Sequence, residues 1–290
     1  GDRIRLLKDV DGESVEIKKK NLTIDLDGYI WTGAEEGLEY GKIDTEGASV
    51  ITASDSTLSI VGMGSIQASE GYRAITAENT ELIIGKEEDE EGEGPEIRGS
   101  GEGSLGITRE EDSRKGGVIL AEKGTVTLNS GIITDGYIQA EDEASPSETE
   151  QSCGGGIAVI DGRLIMNGGS IIGNKAESGN GGGLYISSAE SIEIAGGEIS
   201  ENQAEDGLGG GIYAKGMKEN ELLKIVFKET TIRDNLAQYG GAVAVGSFCR
   251  SVSITEDTKT YGNQAAGDTA VGEARVSDEF LICNKDTELS

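Results

Sequence analysis

The chain has 290 residues, with 54 acidic side chains against 25 basic ones, a net charge of −29 and no histidine. Such a charge repels phosphate backbones, so no nucleic-acid partner is expected. The missing imidazole removes Ser-His-Asp and Cys-His nucleophiles and His-ligated zinc. The apolar fraction of 35% is low, but 46 glycines bring the non-polar share to an ordinary level, and internal repeats argue against disorder. No stretch approaches the ~20 apolar residues of a membrane-spanning helix.

Residues 1–20, with Leu6, Leu7 and Val10, read as a cap over an open end. No secretory leader is recognisable there, and Gly1 reads as a trimmed end, so the start is uninformative about export. From Leu22 to Ile30 the pattern is an alternating strand, then a turn, then a second strand; Trp31 follows as a further capping residue. Leu58-Ser59-Ile60 with Gly64-Ser65-Ile66, and Val126-Thr127-Leu128 with Gly131-Ile132-Ile133, repeat that scheme. Two acidic insertions, residues 87–96 and 138–152, interrupt it around Pro95 and Pro146 and read as solvated loops.

The second half repeats more strictly. Ile171-Ile172-Gly173-Asn174-Lys175-Ala176, Ile199-Ser200-Glu201-Asn202-Gln203-Ala204, Ile232-Arg233-Asp234-Asn235-Leu236-Ala237 and Thr260-Tyr261-Gly262-Asn263-Gln264-Ala265 align one under another. Glycine clusters alternate with them: Gly155-Gly156-Ile157, Gly182-Gly183-Leu184, Gly210-Gly211-Ile212 and Gly240-Gly241-Ala242-Val243. Three short β-prone runs per ~28 residues is the arithmetic of a solenoid coil. Identical positions then stack ~4.8 Å apart. Asn174, Asn202, Asn235 and Asn263 are expected to form an amide ladder, with Ala176, Ala204, Ala237 and Ala265 as a small column beside it. The glycines would supply positive φ or close backbone approach at the next corner. Asp135 is read as the earlier counterpart of the asparagines.

The pairing of a GG[AG][ILV] unit with an [FI]xxN unit in each coil, over roughly residues 153–265, resembles the chlamydial-type polymorphic outer-membrane protein repeat. Isoleucine stands where that family has phenylalanine, and Thr260 stands there in the last unit. The resemblance implies an adhesin-like, surface-exposed β-helix of pectate-lyase-like fold. It transfers no binding residue, because both motifs are corner chemistry.

The expected fold is therefore all-β: one single-stranded right-handed parallel β-helix of about ten coils spanning residues 1–290. For a site, Tyr185 and Tyr213 fall at the same outward position of consecutive coils, with Ala158 and Ala244 flanking, so their rings would stack on the surface as a patch for a carbohydrate or protein partner. Asp25 and Asp27, at alternate strand positions, are the nearest hydrolase-like carboxylate pair. Arg233 beside Asp234 is the nearest lyase-like base, although a solvated corner accounts for it better. No catalytic or metal residue is assigned. No cofactor is expected beyond weak calcium binding by the acidic loops, which lack a DxDxDG spacing. Cys153, Cys249 and Cys283 are read as buried thiols, with a Cys249–Cys283 disulfide as the alternative. The expected function is a non-catalytic, extracellular or cell-surface bacterial adhesin-like module; the alternative is a polysaccharide lyase or glycoside hydrolase on the same fold.

Overall fold

In the computed structural model the chain winds as a parallel β-helix. The residues described are 1–34, 49–86, 93–101, 115–139, 152–188, 192–217 and 223–267, together with strand residues 275–276, 280–282 and 288–289. One coil shows the path. The strand Ile157–Ile160 belongs to the first sheet, Arg163–Met166 to the second, Ser170–Ile172 to the third and the two-residue strand Lys175–Ala176 to a fourth. Among the described residues these sheets hold ten, ten, eight and five strands. The ten strands of the second sheet match the expected number of coils. Among the described residues every pairing between coils is parallel, and Arg275–Val276 alone adds an antiparallel edge, against Phe280–Ile282.

Strand alternation builds the core as columns. In the second sheet Ile24, Ile60, Ile84, Leu128, Met166, Ile194, Phe227 and Ile254 lie in register. In the third, Trp31, Ile66, Ile97, Ile133, Ile171, Ile199, Ile232 and Thr260 do so. The corner between first and second sheets repeats a left-handed residue: Lys19, Asp55, Asn79, Lys123 and Asp161 have φ of 53°, 49°, 46°, 54° and 50°. Where that corner lacks glycine, hydroxyls satisfy it. Ser56 Oγ accepts from the Lys20 amide at 3.1 Å, and Thr80 Oγ1 accepts from the Ser56 amide at 3.3 Å.

The asparagine ladder is present. Asn174 Nδ2 donates to Asn202 Oδ1 at 3.0 Å, Asn202 Nδ2 to Asn235 Oδ1 at 3.0 Å and Asn235 Nδ2 to Asn263 Oδ1 at 2.8 Å. Each carbonyl also accepts the backbone amide of the asparagine one coil earlier, at 3.0 Å in all three steps. Nδ2 also donates to backbone carbonyls of the preceding coil, as from Asn202 to Ile171 at 2.9 Å. Ala176, Ala204, Ala237 and Ala265 stack beside it.

Four expectations are corrected. Thr134 pairs with Ile172, which puts Asp135 level with Gly173 and Gly136, not Asp135, level with Asn174; the Gly136 amide donates to Asn174 Oδ1 at 2.9 Å, ending the ladder. Residues 1–20 are no separate cap: Asp2–Arg5 and Val15–Lys18 pair in register with Asn21–Asp25 and Ser49–Ser54, so they form the first coil, with Leu6 buried and Leu7 exposed. Trp31 closes the core from that end, its indole donating to the Glu13 carbonyl at 2.9 Å. The insertions are shorter than read, because Glu96–Arg98 and Tyr137–Ile138 are strands; their remaining residues, apart from 93–95, 139 and 152, lie outside the described ones.

The ladder gives a direct expectation. Asn202→Ala removes the side-chain partners of the Ile171 carbonyl and the Asn174 amide, while Asn235 Oδ1 keeps the residue-202 backbone amide; ~1–3 kcal/mol per unsatisfied buried group puts the loss at about 2 kcal/mol or more. Asn202→Asp is expected to do as badly at pH 7, because a carboxylate donates to neither neighbour. Urea midpoints of the three proteins check this; an unchanged midpoint for Asn202→Asp would remove the ladder from the account.

Candidate functional site

The tyrosine pair is stacked as expected, with ring centroids 5.6 Å apart and planes 12° apart. It is not on the surface. Tyr185 and Tyr213 are only 2% and 5% exposed, in a second apolar cluster with Leu120, Cys153, Ala158 and Ala244. The side chains do point away from the main core, but Leu208 and Tyr239, carried by Gln203–Leu208 and Leu236–Tyr239, pack over them. The fourth sheet makes the difference: chain leaving the asparagine corner folds back over the outer face of the first sheet. A surface patch at these tyrosines is therefore excluded.

The carboxylate pair is also reassigned. Asp25 ends its strand, while Asp27 lies in the turn beyond, with φ of 51°. Asp25 is buried and accepts from Arg3 at 2.7 Å, Arg5 at 3.1 Å and the Asp27 amide at 3.2 Å. Burial pushes its carboxyl up, but the hydrogen bonds and charges of Arg3 and Arg5 outweigh it and hold the group below its ordinary value of 3.8. A general acid needs the opposite shift. Arg233 donates to Glu198 at 2.6 Å and Asp234 at 2.7 Å. The hydrogen bond to Asp234, with the Glu198 charge, raises the guanidinium further above its usual range despite some desolvation, which opposes a role as base. Burial pushes the Cys249 thiol up to about 11, leaving it protonated at neutral pH. Cys153 and Cys249 are buried; Cys283 and any pairing it makes lie outside the described residues.

The outer corner between the third and fourth sheets does form a concavity. In register, one position per coil runs Asp135, Gly173, Glu201, Asp234, Gly262, all left-handed with φ of 56°, 67°, 57°, 55° and 69°. The acidic residues project outward beside the buried ladder. Gly173 interrupts them, and a cleft of ≈ 470 Å³ opens there, lined by Asp135, Gly173, Lys175, Glu201, Gln203 and Asp234 among others. Its charges are held in place. Arg98 donates to Asp135 at 2.5 Å, Arg233 lies 3.5 Å from Glu201, and the Lys175 ammonium sits 3.2 Å from Glu205 and 5.9 Å from the centre of the Tyr137 ring. Sequence reasoning missed this cleft because the signal is a residue that is absent. Once the register is known, a glycine with an acid on the coil to either side, Asp135 and Glu201, marks it. Among the described residues no group of three acidic or cysteine side chains is arranged to hold a metal ion.

No family model, curated protein or solved structure matches the chain.

The Asp25 arrangement has a pH signature. A carboxyl held below its unfolded value stabilises the fold above that value, and the contribution is lost as the pH falls through the folded value. Asp25→Asn is thus expected to lower the urea midpoint at pH 7, with the gap to wild type narrowing once the pH drops below about 3.8. A gap that widened on acidification would reverse the assignment.

Proposed function

We propose that the chain is a non-catalytic, adhesin-like display module, extracellular or on a bacterial surface, whose rigid solenoid presents acidic flanks to a carbohydrate or protein ligand. The observation that carries this reading is how the recurring polar residues are used. The asparagines are spent inside, on one another and on backbone carbonyls. The charged residues outside are tied in pairs between coils, such as Lys228 with Glu193 at 2.7 Å, where the hydrogen bond from the lysine and its charge hold the glutamate below its usual range. The groups nearest to a catalytic arrangement, Asp25 and Arg233, have protonation equilibria displaced away from acid and base work. The resemblance of the repeat to the polymorphic outer-membrane protein repeat supports the same reading.

The expected behaviour is capture without turnover. Purified protein, incubated with neutral and uronic-acid polysaccharides, should release no reducing ends and no unsaturated product, while retaining ligand on a glycan array or on immobilised surface protein. Steady depolymerisation of any polysaccharide would replace this reading with the enzymatic one.

A further inference from the structure

At Gly173 the outer column lacks a side chain between two acids, Asp135 and Glu201, and the chemistry of the cleft there selects among ligands. The carboxylates of Asp135, Glu201 and Asp234 accept hydrogen bonds, while the Lys175 ammonium and the Gln203 amide donate them. An anionic ligand would meet three carboxylates on a chain of net charge −29. A cationic one would compete with guanidinium groups already seated, Arg98 on Asp135 at 2.5 Å and Arg233 on Asp234 at 2.7 Å. A neutral ligand carrying both hydroxyl donors and acceptors displaces neither. Those same arginines, with Glu205 on Lys175 at 3.2 Å, fix the positions of the polar groups before anything binds. The volume of ≈ 470 Å³ falls in the ~300–1,000 Å³ range of small-ligand clefts.

We infer that this cleft is a saccharide subsite, taking a neutral polyhydroxylated ring between Asp135 and Glu201, two coils apart (~10 Å). The inference rests on the display-module reading and names the ligand class for it. Among the described residues no aromatic one lines the cleft, so hydrogen bonds carry the affinity and single-site binding is weak, on the order of 1 mM.

The column itself supplies the test. Gly173 has φ of +67°, and a Cβ placed on it meets nothing nearer than Thr134 Oγ1 at 3.7 Å. Asparagine tolerates that conformation, and Asp135, Glu201 and Asp234 already adopt it with side chains in place. Gly173→Asn therefore fills the cleft with little cost to the fold, and Gln203→Ala removes a donor from its wall. On an array of neutral glucose, galactose, mannose and N-acetylhexosamine oligosaccharides beside uronic-acid ones, wild type should bind neutral members. Gly173→Asn should lose at least tenfold in affinity by calorimetry, with a melting curve like wild type, and Gln203→Ala should lose severalfold. Absence of neutral-glycan binding, preference for uronic acids, or full affinity in both variants would each overturn the subsite. The display reading has a different failure: polysaccharide turnover, or retention of neither glycans nor surface proteins. Binding that ignores both variants thus sinks the subsite alone.

Discussion

One contact organises the regular half of this protein: the asparagine amide meets a glycine across the same coil. A Cβ on Gly183 would stand 2.8 Å from Asn202 Cγ, and one on Gly156 or Gly211 would stand 3.0 Å or 3.2 Å from the equivalent carbon of Asn174 or Asn235. The preceding glycine is pressed as closely on the backbone after the asparagine. A Cβ on Gly182 would lie 2.4 Å from the Gln203 carbonyl carbon, and one on Gly210 would lie 2.4 Å from the Leu236 carbonyl oxygen. The two sequence units are therefore halves of one device. The ladder fixes where the third strand turns, and the glycines let each coil begin close against the turn that ends it. Positive φ is supplied separately, by Gly154, Gly181, Gly209 and Gly240 at 73°, 72°, 71° and 64°. In three of the four coils those are the residues immediately before the glycine pair that does the close packing.

This closeness accounts for the fourth sheet and, through it, the buried tyrosines. With the corner drawn tight, the chain after Ala204 or Ala237 has only the outside of the first sheet to run along. Leu208 and Tyr239 come down on Tyr185 and Tyr213 and make a second apolar layer. The aromatic stack thus fastens the return segment to the solenoid. The acidic surface faces a related constraint. Stacking puts like positions ~4.8 Å apart, so columns of carboxylates would repel one another. The chain interleaves cations between coils instead: Arg233 takes Glu198 at 2.6 Å, and Lys228 takes Glu193 at 2.7 Å. Exposed pairs of this kind each contribute little, ~0–1 kcal/mol. Their effect is to make a charge of −29 compatible with close stacking.

The legible parts of the sequence were those where one residue type has one use. Asparagine at a fixed interval beside glycine pairs and β-branched runs suits a stacked corner and little else, and it located the ladder, the alanine column and the core strands. The first half was legible only in style, because its corner chemistry is done by Ser56 and Thr80, residues common enough elsewhere to carry no periodic signal. Asp135 was misplaced by one residue for a physical reason. It belongs to the left-handed position before the asparagine, which accepts aspartate, glutamate or glycine, and the ladder site of its own coil is already glycine. Tyr185 could not be placed from alternation, which separates the two faces of a strand but does not say whether another layer covers the outer one. The first coil reads as a cap because Leu6, Leu7 and Val10 look like a cover for an open end, whereas in the structure Leu6 is buried and Leu7 stands 81% exposed.

In a solenoid, a position that obeys the repeat is accounted for by the coils above and below, so specificity has to come from departures. The core departs little: Phe227 and Met166 enlarge a column of isoleucine and leucine without breaking it. The inner ladder does not depart at all between Asn174 and Asn263. The outer corner column loses its side chain at Gly173, between Asp135 and Glu201 and beside that unbroken ladder, so the gap is walled by side chains with no freedom to collapse into it. Backbone at a left-handed turn whose neighbours are hydrogen-bonded coil to coil cannot close a missing side chain by drifting; the Gly173 amide itself is held by the Ser200 carbonyl at 3.1 Å. A deletion that would heal in a flexible loop persists here as shape, which is how a stiff repeat of small information content can still carry one particular site.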